Sequence, residues 1–509
     1  MIISLSVLVI TIIVSGTYAL YKAQLSKNIG VNTTTHGLAY YINYVKGTDI
    51  TAATLNPSTS YEGGASSDIE FWKKDDSYDI YGKIELTVNT IGTNLSNSPA
   101  LKYAVVNNGN VLKEGSLKGT TSGSKVTILK NLYLEQTKQI YTVYVWLDNS
   151  EELGNISNES LSISVDCTAS LQKEPTAADT IISLYTSAAK VTATNNSITY
   201  NTAPSVSLMN DRLGGTTTDL DGGNIRYYGA NPNNYIYFNC SDYSNQTSST
   251  CEVWRIIGVF DGKLKLIKSE SIGAYSWDNK DTSTGAESDT GKNDWTTARL
   301  MKLLNPSDYY VVDSNDNELG QSLYWNSASG KCYSGFQNAI VDCDFTSTGI
   351  KNDTTRNMIA DVIWNLGGSD TNKVYSNQMY EYERGTTVYT GRPTIWTGKI
   401  ALAYLSDYGY AVDLNECKDK TLYDYDSIPC ELYNWIKAIL GTSGFEWLLA
   451  VTYNDATGVG FVRSSGEPYN NGPAAGEQKV VPVLYLSSEL GIESGAGDGS
   501  SSNPYKLSA

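Results

Sequence analysis

Seven cysteines stand at positions 167, 240, 251, 332, 343, 417 and 430, and the last six fall into three local pairs. Spacing of this kind points to short-loop disulfides, Cys240 with Cys251, Cys332 with Cys343 and Cys417 with Cys430. In the chain-entropy account each is worth roughly 3 kcal/mol. Such bonds persist in an oxidising compartment; the competing reading is six buried thiols in a cytosolic protein. Cys167 is left over, as a buried small apolar residue or an intermolecular thiol. No Cys-x-x-Cys occurs and the chain has a single histidine, His36. Multi-histidine zinc sites and thioredoxin-type redox motifs therefore lack their parts, and any His-dependent triad would have to be built on His36.

The remaining polar chemistry is diffuse. Asp219, Asp221 and Asn224 offer oxygen ligands of the kind calcium takes, but Gly223 and the lack of a Glu at the twelfth position break the EF-hand pattern, and a solvated Asx turn is the simpler reading. A chain with 54 acidic residues contains carboxylate pairs in number, yet no spacing selects one for glycoside hydrolysis. Gly497-Asp498-Gly499 lacks the Lys and Ser or Thr of a phosphate loop and reads as a turn. We expect no catalytic residue, metal site or cofactor. Aromatic residues are the best ligand candidates, because sugar C–H faces pack on rings while hydroxyls bond to nearby Asn and Asp. The set comprises Tyr227, Tyr228, Tyr235, Tyr380, Tyr382, Trp396, Tyr404, Tyr408 and Tyr410, from which Tyr227, Tyr228, Trp396, Tyr408 and Tyr410 are taken as the expected ligand surface. Core and strand-surface packing is the alternative for each.

Composition narrows the partners. The 509 residues predict roughly three units at about 150 residues each. A net charge of −17 repels nucleic acid and anionic lipid. Tyr outnumbers Phe 38 to 7, the texture of exposed, hydrogen-bonding β surface.

The elements that must position these residues begin with MIISLSVLVITIIVSGTYALY, which carries no charge and is long enough to span a bilayer as a helix. Residues 1–22 are thus read as a transmembrane helix or signal anchor, with a cleaved signal peptide as the competing reading. Lys22 and Lys27 argue for a cytoplasmic C-terminus, but long domains translocate regardless of flanking charge, and the paired cysteines place the bulk outside. The expectation is a single-pass cell-membrane protein with an extracellular body. Residues 23–171 read as an all-β sandwich, with strands near 40–45, 79–91, 100–106, 124–134, 139–148 and 160–167 and a hairpin turn at Asn108-Gly109. Residues 172–208 read as a helical connector and linker, Thr176 and Asp179 forming a capping box. Residues 209–509 read as an α+β domain. Its clearest local feature is EVWRIIGVF-Asp261-Gly262-KLKLIKSESI, a hairpin with a type I′ turn. Three helices are expected, capped by Asp294, by Asp353 and by Pro429 in its first turn. The second is to run to Gly367 and the third to Gly441, burying Leu432, Trp435, Ile436, Ile439 and Leu440.

Read in order, EVWRIIGVFDGKLKLI, NDWTTARLMKLLN, WTGKIALAYLSDYGYA, EWLLAV, GFVRSSGEP and KVVPVLYLSSELGIESGAGDGSSSNPYKL resemble an uncharacterised cell-surface domain family of Firmicutes. That family is similar to C-type lectin-like folds, and the likeness covers about 209–509. It implies a C-type lectin-like α+β domain and a surface location, and supplies no catalytic residue. Calcium-dependent lectins of that fold chelate sugar through Glu-Pro-Asn or Gln-Pro-Asp, whereas the nearest string here is Glu467-Pro468-Tyr469. The stretch 30–170, behind its hydrophobic segment, resembles camelysin-type β-sandwiches of Gram-positive bacteria. The functional expectation is non-catalytic binding or adhesion, with a glycan or envelope protein as ligand. A cell-wall glycan hydrolase or a surface-fibre subunit are the alternatives.

Overall fold

The computed structural model describes residues 23–24, 41–51, 55, 57–149, 151, 153, 156, 159–213, 222–278, 291–312, 319–335, 339–440, 445–493 and 495–508. The expected membrane segment 1–22, with Asp219 and Asp221, lies outside them. Among the described residues no helix is long and apolar enough to cross a membrane. The chain divides into two compact units, Met1–Glu174 and Pro175–Ala509.

The first unit is built from β1 (Ala23–Gln24), β2 (Ile42–Val45), β3 (Ile50–Thr51), β4 (Pro57–Ser58), β5 (Ala65–Lys73), β6 (Tyr81–Ile91), β7 (Leu101–Asn107), β8 (Asn110–Ser116), β9 (Lys125–Tyr133), β10 (Ile140–Asp148) and β11 (Leu161–Ser170). One sheet runs β1-β11-β6-β9 and the other β2-β5-β10-β7-β8. Strand periodicity of two puts Ile84, Leu86 and Val88 into the core while Lys83, Glu85 and Thr87 stay half-buried. Val165 and Cys167 face the same core from β11, and Phe71, Val105, Val143 and Val145 close it from the second sheet. This is the expected β-sandwich. The turn between β7 and β8 places Asn108 and Gly109 at φ 50° and 78°, the positive values a type I′ turn requires.

The second unit begins earlier than the sequence suggests. Helix α1 (Ala177–Ser187) starts at the Thr176–Asp179 capping box and buries Ile181 and Tyr185. Strands β12 (Val191–Asn195), β13 (Ile198–Ala203), β14 (Leu208–Asn210), β15 (Ile225–Tyr227), β16 (Tyr235–Phe238), β17 (Glu252–Phe260) and β18 (Lys263–Lys268) follow. They build a large sheet ordered β12-β13-β14-β15-β17-β18, extended by two later strands and carrying β16 on β17. Residues 175–208, expected as part of a connector, are therefore integral to this unit, because Ala177, Ala178, Tyr200 and Ala203 are core residues. Asp261 and Gly262 turn the expected hairpin at φ 46° and 70°.

Beyond it come β19 (Ala274–Ser276), α2 (Arg299–Leu304), β20 (Ser329–Tyr333), β21 (Ile340–Asp344), α3 (Asp353–Met358), β22 (Val362–Asn365), α4 (Ser376–Glu383), β23 (Ile395–Gly398), β24 (Ile400–Ala401), α5 (Leu405–Tyr410), α6 (Ile428–Leu432) and α7 (Trp435–Leu440). The chain ends with β25 (Glu446–Val451), β26 (Gly458–Val462), β27 (Pro468–Pro473), β28 (Glu477–Lys479), β29 (Val483–Tyr485) and two short terminal strands. Strands β29 and β24 complete the large sheet, and a second sheet runs β19-β28-β25-β26-β27.

All three expected helices are shorter than expected. Asp294 accepts from Thr296 N–H in a local turn, and α2 starts only at Arg299. Asn352, not Asp353, caps α3, which stops at Met358; the β-branched Val362 and Ile363 instead enter β22, leaving Ile363 61% exposed. The third is split into α6 and α7, because buried Asn434 donates to the Tyr408 carbonyl and accepts from the N–H groups of Ile436 and Lys437. Leu432 is consequently 64% exposed. The cysteines pair as their spacing suggests, Cys240 with Cys251, Cys332 with Cys343 and Cys417 with Cys430, all in the second unit. Cys167 is free and buried in the first.

Candidate functional site

A groove of about 350 Å³ opens along the second sheet of the C-terminal unit, lined by Gly335, Phe461, Tyr469, Asn471, Gly472, Pro473, Gly476, Glu477 and Gln478. The antiparallel register of β26 and β27 sets Phe461 directly opposite Tyr469, with ring centroids 5.3 Å apart. Phe445 lies 5.3 Å from Phe461 on the other flank and is 40% exposed. Trp447 stands behind Phe461 at 6.1 Å, fully buried, its indole N–H donating to the Tyr275 carbonyl. The rings thus run from core to solvent as one fixed series. A Cβ at Gly472 would come within 2.6 Å of the Phe461 ring, so only glycine lets that ring lie across β27. Arg463 covers the Tyr469 ring at 4.5 Å and is pinned by Glu467 at 2.9 Å.

Polar groups line the same groove. The side chains of Asn471, Glu477 and Gln478 have no hydrogen-bond partner among the described residues, nor has the Tyr469 hydroxyl. Hydrogen-bonding capacity left unspent beside aromatic faces suits a ligand that presents both a C–H face and hydroxyl or amide groups.

The expected ligand surface is elsewhere and is not a surface. Tyr227, Tyr228, Trp396, Tyr408 and Tyr410 are buried, none more than 7% exposed. Their amphipathic character serves the core: the Tyr408 hydroxyl donates to the Gly466 carbonyl and the Tyr200 and Tyr410 hydroxyls bond each other. Of the wider aromatic set, Tyr404 is also buried and Tyr382 is 40% exposed. Asn224 is buried and spends its amide on Asp211 and the Leu213 carbonyl. Among the described residues no cluster of three or more His, Cys, Asp or Glu side chains could hold a metal. Asp498 accepts from the Ser500 N–H in a turn. Phe461, Asn471, Glu477 and Gln478 went unread in the sequence. The available signal was the string around Glu467-Pro468-Tyr469, whose short return to β26 pairs Tyr469 with Phe461.

The chain matches no protein-family model and no curated protein. Among solved structures, one described as "Crystal structure of HCR/D F1240A mutant" aligns at 13% identity over 50% of this chain and 76% of that one, with a TM-score of 0.14. Another, "PBCV-1 virus capsid, quasi-atomic model", aligns at 11% identity over 43% of this chain and 59% of that one, with a TM-score of 0.12. Neither overlap describes a common fold.

A second concentration of polar chemistry is sealed inside the same unit. Arg226 on β15 donates through Nε to Asp211 at 2.5 Å and through Nη1 to Asp407 at 2.9 Å. Asp407 also ion-pairs with Lys265 of β18 and accepts the Tyr404 N–H at 3.0 Å. The Glu383 carboxylate accepts from the N–H and hydroxyl of Ser406 and from Arg384. Arg226, Asp211, Asp407, Lys265 and Glu383 are each no more than 1% exposed. Burial pushes Asp407 up, but Lys265 and Arg226 together hold it below the ordinary carboxylate value. Burial pushes the Lys265 amine down to about 8, Asp407 opposing the fall while the Arg226 and Arg384 charges add to it. Burial raises Glu383 to about 7 against the pull of Arg384 and Ser406.

Proposed function

We propose that this is a membrane-anchored bacterial cell-surface protein whose C-terminal unit, C-type lectin-like in fold, binds glycan without catalysis. The carrying observation is the groove of Phe461, Tyr469, Asn471, Glu477 and Gln478, in which ring faces and unpartnered polar groups converge. The three cysteine pairs support an extracytoplasmic location, since such bonds persist where the environment is oxidising. The mode is calcium-independent: Tyr469 stands where a lectin loop would need a third oxygen ligand, and it contributes a ring face.

The test is a glycan array probed with the purified protein with and without EDTA, alongside Tyr469→Ala and Glu477→Gln. Retention unaffected by EDTA, weakened about tenfold by loss of a stacking contact worth roughly 1.4 kcal/mol, is expected. Unchanged retention in both variants sinks the groove, and new reducing ends in the bound glycan would make the protein a hydrolase. Protease added to intact cells is expected to degrade the C-terminal unit; full protection overturns the topology.

A further inference from the structure

We propose that Lys265 and Asp407 are joined by an isopeptide bond that forms within the folded C-terminal unit. The inference is independent of the groove. Both side chains are sealed from water, Lys265 at 0% and Asp407 at 1% exposure, and they touch. The Lys265 ammonium group is walled by the rings of Tyr404 at 4.3 Å, Phe260 and Tyr485 at 5.3 Å and Trp364 at 5.6 Å. A desolvated amine is an activated nucleophile, and holding it against its carbonyl carbon replaces an encounter in solution with effective molarities of order 10⁵–10⁸ M.

The surrounding groups match the needs of the condensation. Arg226 Nη1 sits 2.9 Å from Oδ1 of Asp407, where negative charge develops as the amine adds. Ser406, the residue before Asp407, fixes the Glu383 carboxyl through its N–H and hydroxyl, near enough to Asp407 for each to feel the other's charge. In the reaction Nζ of Lys265 bonds to Cγ of Asp407 and the bond from Cγ to Oδ2 breaks. Two hydrogens leave the ammonium group and depart on Oδ2 as one water, Glu383 taking each proton from nitrogen and returning it to oxygen. An ammonium and a carboxylate become a neutral amide and water, so charge and atoms balance without any oxidant or co-reactant. With its affinity for a proton near neutrality, Glu383 can perform both transfers.

Charge accounting favours the product. The cluster holds the cations Arg226, Lys265 and Arg384 against Asp211, Asp407 and Glu383. Condensation removes one charge of each sign and leaves Arg226 with Asp211 and Arg384 with Glu383. An ion pair held without water carries a large desolvation cost, and an amide does not. The amide oxygen still accepts from Arg226.

Mass spectrometry of the full chain, with its disulfides reduced, decides the matter. The expected result is a deficit of one water, about 18 Da, with the Lys265 and Asp407 segments recovered as one branched peptide after digestion. Asp407→Asn is expected to change the deficit to one ammonia, about 17 Da, because the leaving group changes. Lys265→Arg and Glu383→Gln, shown to be folded by circular dichroism, are expected to run at full mass. Wild-type protein at full mass, with Lys265 and Asp407 in separate linear peptides, overturns the proposal. Cross-linking that persists in folded Glu383→Gln overturns the proton-carrying role.

Discussion

Arg226 is held by side chains from distant parts of the chain, Asp211 and Asp407, and because Asp407 is committed to Lys265 as well, Asp211 is the acid that balances the guanidinium charge in the core. Removing one partner of a buried pair leaves an uncompensated charge and costs about 3–5 kcal/mol. Asp211→Asn is therefore expected to lower the unfolding free energy of the C-terminal unit by that amount, read by urea titration. Glu446 behaves oppositely. It is 1% exposed, both carboxyl oxygens lack a hydrogen-bond partner among the described residues, and burial raises it well above the ordinary 4.5, only partly opposed by Lys479. A carboxyl whose folded value is raised keeps its proton in the native state after the unfolded chain has lost it. Stability then falls as pH climbs above about 4.5 and goes on falling towards the folded value. Glu383 adds a similar decline between 4.5 and about 7. Glu446→Gln should flatten this slope and raise the unfolding midpoint at pH 8; an unchanged slope between pH 5 and 8 would refute the assignment. None of these acids was legible in the sequence, because nothing in a linear string of 54 carboxylates marks which ones the fold buries.

At the scale of elements, legibility followed the strength of the local code. Asn108-Gly109 and Asp261-Gly262 demand positive φ and identified their hairpins, and the alternation of β6 identified its buried face. Thr176 and Asp179 identified the start of α1; Thr176→Ala is expected to cost about 1 kcal/mol, read as a lowered thermal midpoint of the C-terminal unit. The helices beyond it were overdrawn, since an apolar run such as Met358–Leu366 has no period that separates a helix from a short helix followed by a short strand. The groove was missed for a related reason: Phe461 and Tyr469 meet only through strand register. The hairpin of β20 and β21 carries the Cys332–Cys343 bond across its strands and exposes Ile340 and Val341 at 52% and 38%. With little core of its own, it depends on that bond. Replacing both cysteines by serine should accelerate amide hydrogen exchange in Ser329–Asp344 while sparing β17 and β18.

For the whole molecule, the two units differ in how they are held together. The sandwich relies on packing between its sheets, whereas the C-terminal unit combines its core with three cysteine bridges. Calorimetry with and without reductant is therefore expected to move only the transition of the C-terminal unit. A shift of both transitions would contradict this division. The sandwich was the more legible unit because its strands are long and alternate, whereas the boundary at Glu174–Pro175 was blurred by a Ser, Thr and Asn-rich stretch that resembles linker yet contributes β12 and β13.

The placement of Cys167 bears on how the chain is made. It faces the sandwich interior, 1% exposed, opposite Ile84 in the β6–β11 pairing, and precedes every paired cysteine in the chain. Domains made first fold first during synthesis. A sandwich that closes before Cys240 emerges removes the odd thiol from exchange, which cuts the possible pairing patterns roughly sevenfold. The six remaining thiols then appear as sequence neighbours in successive couples, so each couple can close before the next arrives. The order of the cysteines along the chain thereby serves as a schedule for oxidative folding.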